Sequence, residues 1–275
     1  MAGPSRVSRR TAMKAGAGLA LTTALPVQAG ETTADDANIL WYDNPADEWV
    51  QALPLGNGRL GAMVFGGVAN ERIQLNEDTF FAGSPYDGTN PKAGAGLPRV
   101  RELIWAGKYK EAQDLADEVL VARPQRQMSY QPIGDLLLMF QGIENSQSYR
   151  RSLDLDCAVA TTRFKVRTVT HLREVIASAP DRVIAIRLSS DAPAGSVSVN
   201  IALFTPQDAE IVVEGDDTLV MRGIGPAQHG VPGGIRFETR VQVQRTGGRQ
   251  TTGRDGIRIE DAEEVVLLVA TATSY

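Results

Sequence analysis

The chain has 275 residues and a formal net charge of −5 at pH 7. Because phosphate contacts need clustered Lys and Arg, this acidic balance argues against a nucleic-acid partner. After residue 29 there is no stretch of 18 uncharged apolar residues, so the sequence predicts no membrane anchor.

Residues 1–29 are interpreted as a twin-arginine signal peptide. Ser8–Lys14 (SRRTAMK) fits that pattern, except that Ala12 stands where a bulkier apolar residue is usual. A mildly apolar stretch, Ala15–Val27, leads to a small-x-small cleavage site ending at Ala29. The alternative is a disordered basic tail. We expect export to the periplasm or the extracellular space, which would remove four basic residues and change the charge from −5 to −9. Residues 30–38 are predicted to form a polar, flexible leader.

Cys157 is the only cysteine, so an exported chain would have no internal disulfide and would depend on a large core. About 245 residues can bury roughly 70% of the unfolded surface, which is enough for one all-β domain. Cys157 itself, beside Ala158 and Val159, is interpreted as a small core residue.

The segment Leu53–Phe80 is predicted to form two short strands joined by a loop, after a first strand at Ile39–Tyr42. Asn57-Gly58 is a strong turn signal. The string Gly56-x-Gly58-x-x-Gly61 matches the dinucleotide-binding fingerprint, but Pro54 precedes it and strand-like residues follow. Because that fingerprint requires a helix after the turn, a hairpin is the better interpretation.

One segment has helical periodicity. Ser84–Pro98 is predicted to be a loop, and two short helices bent at Gly107 are predicted to follow. Their charged side chains should form a solvated outer face. The apolar positions with helical spacing are Val100, Leu103, Ile104, Ala112, Leu115, Ala116 and Val119.

After Pro124 the apolar pattern has a period of two, which is typical of half-buried antiparallel strands. Val183–Leu188 and Val265–Val269 are more uniformly apolar and are expected near the middle of a sheet. Turn signals, including Gly247-Gly248, separate the strands. The predicted fold is all-β: a large antiparallel β-sandwich (super-sandwich) with a short two-helix insertion, over residues 39–275.

Few residues suggest metal or nucleophilic chemistry. His171 lies in a predicted strand, where an exposed or cross-strand-paired imidazole is expected, and His229 lies in a loop. With Cys157 they are too few for a tetrahedral zinc site without several carboxylates. No GxSxG elbow supports a serine triad. The sequence predicts no metal and no cofactor.

Carboxylates are the remaining candidates, since glycosidases use a pair of them. Glu77 and Asp78 are adjacent, so on a strand they would point to opposite faces. Asp154 and Asp156 share a face, but solvated strand acids are commoner than catalytic ones. No pair resembles a catalytic dyad, and no catalytic residue is assigned.

Four sequence blocks in order resemble the N-terminal domain of glycoside hydrolase family 95, whose best-known members are α-L-fucosidases. They are LWYDNPA, ALPLGNGRLGAMVFGG, ERIQLNEDT and RQMSYQPIGDL, and the resemblance covers residues 39–275. It implies inverting hydrolysis of terminal α-L-fucose, with L-galactosides cleaved by some members. In that family the catalytic groups lie in an (α/α)6 barrel, which would follow Tyr275.

The resemblance therefore implies an exported N-terminal domain that is inactive alone and meets the fucosylated glycan through its contact with the barrel. Five residues match the family blocks and are predicted to support that contact or the cleft rim: Asn76, Glu77, Asp78, Tyr130 and Gln131. The alternative is a free-standing carbohydrate-binding module, for which the candidate aromatic platforms are Trp41, Trp49, Trp105 and Tyr86. A complete all-β enzyme has little support.

Overall fold

The computed structural model describes residues 36–192, 195–254 and 256–275. The predicted signal peptide and most of the predicted leader lie outside these residues. One compact unit comprises Asn38–Tyr275.

The unit contains fourteen strands and two α-helices within the described residues. The helices are α1 (Ala93–Trp105) and α2 (Tyr109–Val119). The strands are β1 (Ile39–Tyr42), β2 (Leu53–Gly56), β3 (Leu60–Val64), β4 (Asn70–Glu77), β5 (Gly134–Phe140), β6 (Gln147–Asp154), β7 (Val159–Val166), β8 (Val169–Ser178), β9 (Val183–Ser190), β10 (Val197–Phe204), β11 (Asp208–Glu214), β12 (Thr218–Ile224), β13 (Arg236–Gly253) and β14 (Gly256–Thr273).

All fourteen strands belong to one antiparallel sheet that folds back on itself. Its order is β1-β6-β7-β8-β9-β14-β10-β5-β4-β3-β2, and β13, β12 and β11 continue in turn from β14. Val64 and Ile73, from β3 and β4, face Val175 and Ile186, from β8 and β9, around a cavity of about 10 Å³. The two layers of the sandwich are therefore parts of one continuous sheet.

β14 joins the two layers. Its residues 264–269 pair with β9, whereas residues 257–262 pair with β10. Along its other edge it pairs with β13, with a bulge between Thr246 and Gly247. Gly247-Gly248 therefore lies inside β13, and the prediction of a turn there is wrong. Gly248 has φ +64°, and a Cβ on it would lie 2.3 Å from the carbonyl oxygen of Glu260, so glycine is required where the strands bend.

The core lies between the layers and follows the alternating pattern. In β9, Ile184, Ile186 and Leu188 are buried, and in β14 Val265, Leu267 and Val269 are buried. Both strands have neighbours on each side, which confirms their expected place inside the sheet. The predicted all-β fold with a short helical insertion is confirmed.

The helical insertion differs in detail from the prediction. α1 begins at Ala93, so residues 93–98 are helical and Pro98 lies inside the helix. Ile104 is exposed, because it lies outside the contact between the two helices, whose buried residues are Val100, Leu103, Ala112 and Val119. Gly107 has φ +74° and ends α1 as predicted. Among the described residues, no helix is long and apolar enough to cross a membrane.

Candidate functional site

The predicted contact residues lie where β4 ends. Glu77 is the last residue of β4 and is fully buried. Its Oε1 accepts a hydrogen bond from Arg59 Nε at 3.0 Å, and its Oε2 accepts from the backbone N–H and hydroxyl of Thr79 at 2.8 and 2.6 Å. The Thr79 hydroxyl also contacts that of Thr273 on β14. Glu77 therefore ties the β4 end to the β2–β3 hairpin and connects it to β14 through Thr79.

A second segment packs on this end of β4. The Tyr130 hydroxyl donates to the carbonyl of Glu77 at 3.0 Å, and the Gln131 N–H donates to the carbonyl of Phe80 at 2.9 Å. Phe81 and Tyr130 form an isolated β-bridge with edge-to-face rings, 5.4 Å between centroids. Tyr130 remains partly exposed, so the segment presents an aromatic ring beside the Glu77 connection.

The structure brings together four of the five predicted residues. Asp78 is exposed beside buried Glu77, and its N–H donates to the carbonyl of Arg59 at 3.0 Å. Asn76 points to the opposite face of β4 from Glu77, because side chains alternate along a strand, and it is half-buried opposite Gly61. Glu77, Asp78, Tyr130 and Gln131 thus form one surface region, which we name the β4-end region.

The charges and burial in this region suit Tyr130 and Glu77 to holding the structure together and not to transferring protons. Burial raises the pKa of Tyr130, and the negative charges of Glu77 and Asp78 raise it further. The phenol therefore stays protonated near neutral pH and acts as a hydrogen-bond donor. Both oxygens of Glu77 already accept hydrogen bonds, which leaves its carboxylate occupied.

A groove of about 360 Å³ adjoins the β4-end region. Arg59, whose guanidinium bonds Glu77, lines it together with Arg182 and Arg240, and its floor includes Val183 and Ala270. Arg240 is paired with Glu214 and Glu238 at 2.9 and 2.6 Å. Asp181 and Glu238 also line the groove, which thus combines an apolar floor with walls that carry both positive and negative charges.

Sequence reasoning missed a buried charged cluster between the layers. Glu71 accepts a hydrogen bond from the Gly66 N–H at 2.8 Å and lies 3.6 Å from Arg173 of β8. Arg173 also donates to the carbonyls of Gly67 and Val68, and the hydroxyl of Tyr149 donates to the backbone carbonyl of Gly66 at 2.5 Å. These bonds pin the β3–β4 loop to the opposite layer.

Burial raises the pKa of Glu71 to about 7, although Arg173 and backbone N–H groups act to lower it. Burial likewise lowers the pKa of Arg173 to about 10, against the opposing effect of Glu71. The signal was present in the pattern, because Glu71 occupies the same alternating positions as Ile73 and Leu75. A charged residue in an inward position indicates a buried partner.

The two histidines and the cysteine, considered above for metal or nucleophilic chemistry, lie apart from one another. His171 is buried and stacks on Phe164, its cross-strand partner, at 5.2 Å between centroids, so the paired alternative is correct and the exposed one is wrong. His229 is exposed in a loop. Cys157 is exposed and its Sγ lies 3.3 Å from Asp154 Oδ2. Its assignment to the core is therefore wrong, because it lies in the turn after β6, where Asp154 accepts from its backbone N–H.

The four candidate aromatic platforms are all exposed, and they lie at separate places. Trp41 is on edge strand β1, with the Arg150 guanidinium 4.8 Å from its ring centroid. Trp49 donates through Nε1 to Gln74 at 2.6 Å. Trp105 ends α1, and Tyr86 lies in the preceding loop.

The β4-end region and the curled sheet lie within a segment that matches a known family. A family model described as glycosyl hydrolase family 65, N-terminal domain, matches residues 40–275. The chain belongs to this family. Among relatives of this glycosyl hydrolase domain, Alpha-L-fucosidase 2 of Arabidopsis thaliana is 32% identical over 261 residues, which is 86% of this chain and 30% of that protein.

A protein named Probable alpha-fucosidase A, from Aspergillus niger (strain ATCC MYA-4892 / CBS 513.88 / FGSC A1513), is 31% identical over 87% of this chain and 31% of its own length. The glycosyl hydrolase domain described here thus spans about a third of these relatives. A solved structure titled Putative kojibiose phosphorylase from human microbiome aligns with a TM-score of 0.47 and 8% identity, over 86% of this chain and 32% of that one.

Proposed function

We propose that this chain is the supporting β domain of an exported enzyme that hydrolyses terminal α-L-fucosides, with the bond-breaking groups in a helical barrel outside this domain. The observation that carries the proposal is the 32% identity with Alpha-L-fucosidase 2 over 86% of this chain. The occupied carboxylate of Glu77 supports it, because a catalytic acid or base must be free to exchange a proton with the substrate.

The β4-end region is the contact surface in this proposal. Glu77 fixes the backbone, and exposed Asp78 and partly exposed Tyr130 face outward beside the groove lined by Arg59. A partner domain would place its polar groups against these side chains and its apolar groups on the groove floor. The domain would then hold the barrel and shape the rim of its cleft.

The test is co-expression of the chain with the part of Arabidopsis Alpha-L-fucosidase 2 that it does not match. We expect an isolable complex that hydrolyses 4-nitrophenyl α-L-fucoside, and no hydrolysis by the chain alone. Asp78→Ala with Tyr130→Ala should weaken association about tenfold or more, as expected for an interface centre. The matched control Trp105→Ala, which removes an exposed aromatic elsewhere, should leave association unchanged.

Hydrolysis by the chain alone at the rate of the complex would refute the supporting role. Failure of the chain to bind the helical part of the enzyme, while both remain folded by circular dichroism, would refute the contact surface.

Export by the twin-arginine route is part of the proposal and rests on Ser8–Lys14. Replacing Arg9 and Arg10 by Lys keeps the charge but removes the paired guanidinium groups that the signal requires. We expect the variant to stay in the cytoplasm during cell fractionation, while the unchanged chain reaches the periplasm or medium. Equal distribution of the two would count against this route.

A further inference from the structure

Among the described side chains, three buried polar atoms lack a hydrogen-bond partner, and all three lie on one outer face of the sheet. They are Arg72 Nε on β4, Asp135 Oδ1 on β5 and Asn200 Oδ1 on β10. These strands are neighbours in the order β10-β5-β4. Because side chains alternate, these three face away from the core that contains Ile73, Leu136 and Ile201.

The strand register places further side chains in a row with Asp135. Its Cα partners are Gln74 on β4 and Phe204 on β10. Neighbouring strands lie about 4.8 Å apart, so Gln74 and Phe204 are separated by about 10 Å. A carboxylate thus lies between an amide and an exposed aromatic ring.

Both ends of this row carry an exposed aromatic side chain. Phe204 is 54% exposed and Trp49 is 53% exposed. Trp49 is anchored at the β4 end, because its Nε1 donates to Gln74 Oε1 at 2.6 Å. We name the set Trp49, Arg72, Gln74, Asp135 and Phe204 the Asp135 face. Asn200 lies outside this set, because it pairs with Met139, four residues along β5 from Asp135.

The polar groups on this face do not satisfy all of one another's hydrogen-bonding capacity. Arg72 Nε lies 3.1 Å from Asp135 Oδ2, but this contact is not a hydrogen bond, so Nε has no hydrogen-bond partner. Asp135 Oδ1, the other oxygen of the carboxylate, has none either. Asp135 is only 8% exposed, whereas the side chain of Arg72 is 43% exposed. A rotation of the Arg72 side chain would therefore give a ligand access to the carboxylate. Unpaired buried polar atoms cost free energy that a suitable ligand recovers.

We propose that the Asp135 face binds a neutral sugar residue of a glycan. A sugar hydroxyl both donates and accepts, so one hydroxyl can donate to Asp135 Oδ1 while a neighbouring hydroxyl accepts from Arg72 Nε. The apolar C–H side of the ring packs on Phe204 or Trp49. Arg72 and Asp135 neutralise each other, which favours a neutral ligand over an ionic one.

The test screens the whole chain on an array of neutral oligosaccharides, including α-L-fucosylated ones, and then titrates the best binder calorimetrically. We expect Phe204→Ala to weaken binding about tenfold, through lost aromatic contact. Asp135→Asn removes a charged acceptor and should weaken binding tenfold or more. The matched control Trp105→Ala removes an aromatic that is 80% exposed on α1 and should leave the affinity unchanged.

Each other outcome contradicts the inference. These are the absence of any neutral binder, unchanged affinity in Phe204→Ala, loss of binding in Trp105→Ala, or binding of sulfated glycans alone with steep salt dependence. Thermal unfolding of each variant establishes that it is folded before titration. The experiment measures no hydrolysis, so its failure leaves the proposed fucosidase role standing, and the failure of that role leaves this site standing.

Discussion

At the scale of single residues, Glu71 controls how stability depends on pH. Its pKa is about 7 in the folded chain, against an ordinary value of 4.5. Between these values the folded state holds a proton that the unfolded state has released. The contribution of Glu71 to the free energy of unfolding therefore increases as the pH falls from about 7 to 4.5, and decreases as the pH rises through 7.

We expect the contribution of Glu71 to the free energy of unfolding to change by about 3 kcal/mol across this pH range. His171 acts in the opposite direction, because burial, and then Arg173, lower its pKa. The unfolded chain therefore takes up that proton first as the pH falls. We expect the free energy of unfolding, measured in urea at pH 8 and at pH 5, to change with pH without the contribution of Glu71 in the Glu71→Gln variant. Glu263→Gln, at an exposed acid on β14, is the matched control, and an unchanged slope in Glu71→Gln would contradict the prediction.

Glu77 tests whether a fully buried carboxylate holds the β4-end region together. Glu77→Gln removes a charged acceptor that serves Arg59 and Thr79, and we expect a loss of about 2 kcal/mol in unfolding free energy. Asp78→Asn changes the exposed neighbour and should stay within about 0.5 kcal/mol. Urea unfolding at pH 7 measures the free energy of unfolding of both variants. Equal losses would show that the buried carboxylate of Glu77 stabilises the fold no more than the exposed carboxylate of Asp78.

At the scale of elements, the bend in the β13–β14 hairpin depends on Gly248. Alanine there would have to adopt φ +64° and would bring a Cβ within 2.3 Å of the Glu260 carbonyl oxygen. The left-handed conformation and the overpacking together should cost about 3 kcal/mol. Gly230→Ala is the matched control, because Gly230 has φ +82° with open space around it.

We expect Gly230→Ala to cost only about 1 kcal/mol, the conformational part alone. Urea unfolding of the two variants separates the conformational cost from the steric one. Losses of the same size in both variants would show that the close approach to Glu260 is unimportant.

At the scale of the whole molecule, β14 makes the two layers one cooperative unit. It pairs with β9 in one layer and with β10 in the other. If either layer lost its order, β14 would lose hydrogen bonds and the other layer would lose the support of an intact neighbouring strand. We expect a single unfolding transition in which far-ultraviolet circular dichroism and tryptophan fluorescence coincide. Two separated transitions would show that the layers unfold independently.

The sequence by itself determined the strand content, the central position of Val183–Leu188 and Val265–Val269, and the resemblance to α-L-fucosidase domains. These properties depend on local alternation and on short motifs, which are readable along the chain. Through the resemblance alone, the sequence also predicted that Tyr130 and Gln131 act together with Glu77, and the structure places the three side by side.

Only the tertiary structure decided how distant segments meet. The Glu71–Arg173 pair joins β4 to β8, and the Asp135 face is assembled from β4, β5, β10 and the turn that carries Trp49. The register between strands far apart in sequence sets these contacts. A period of two specifies which face a side chain takes, but not which strand becomes its neighbour.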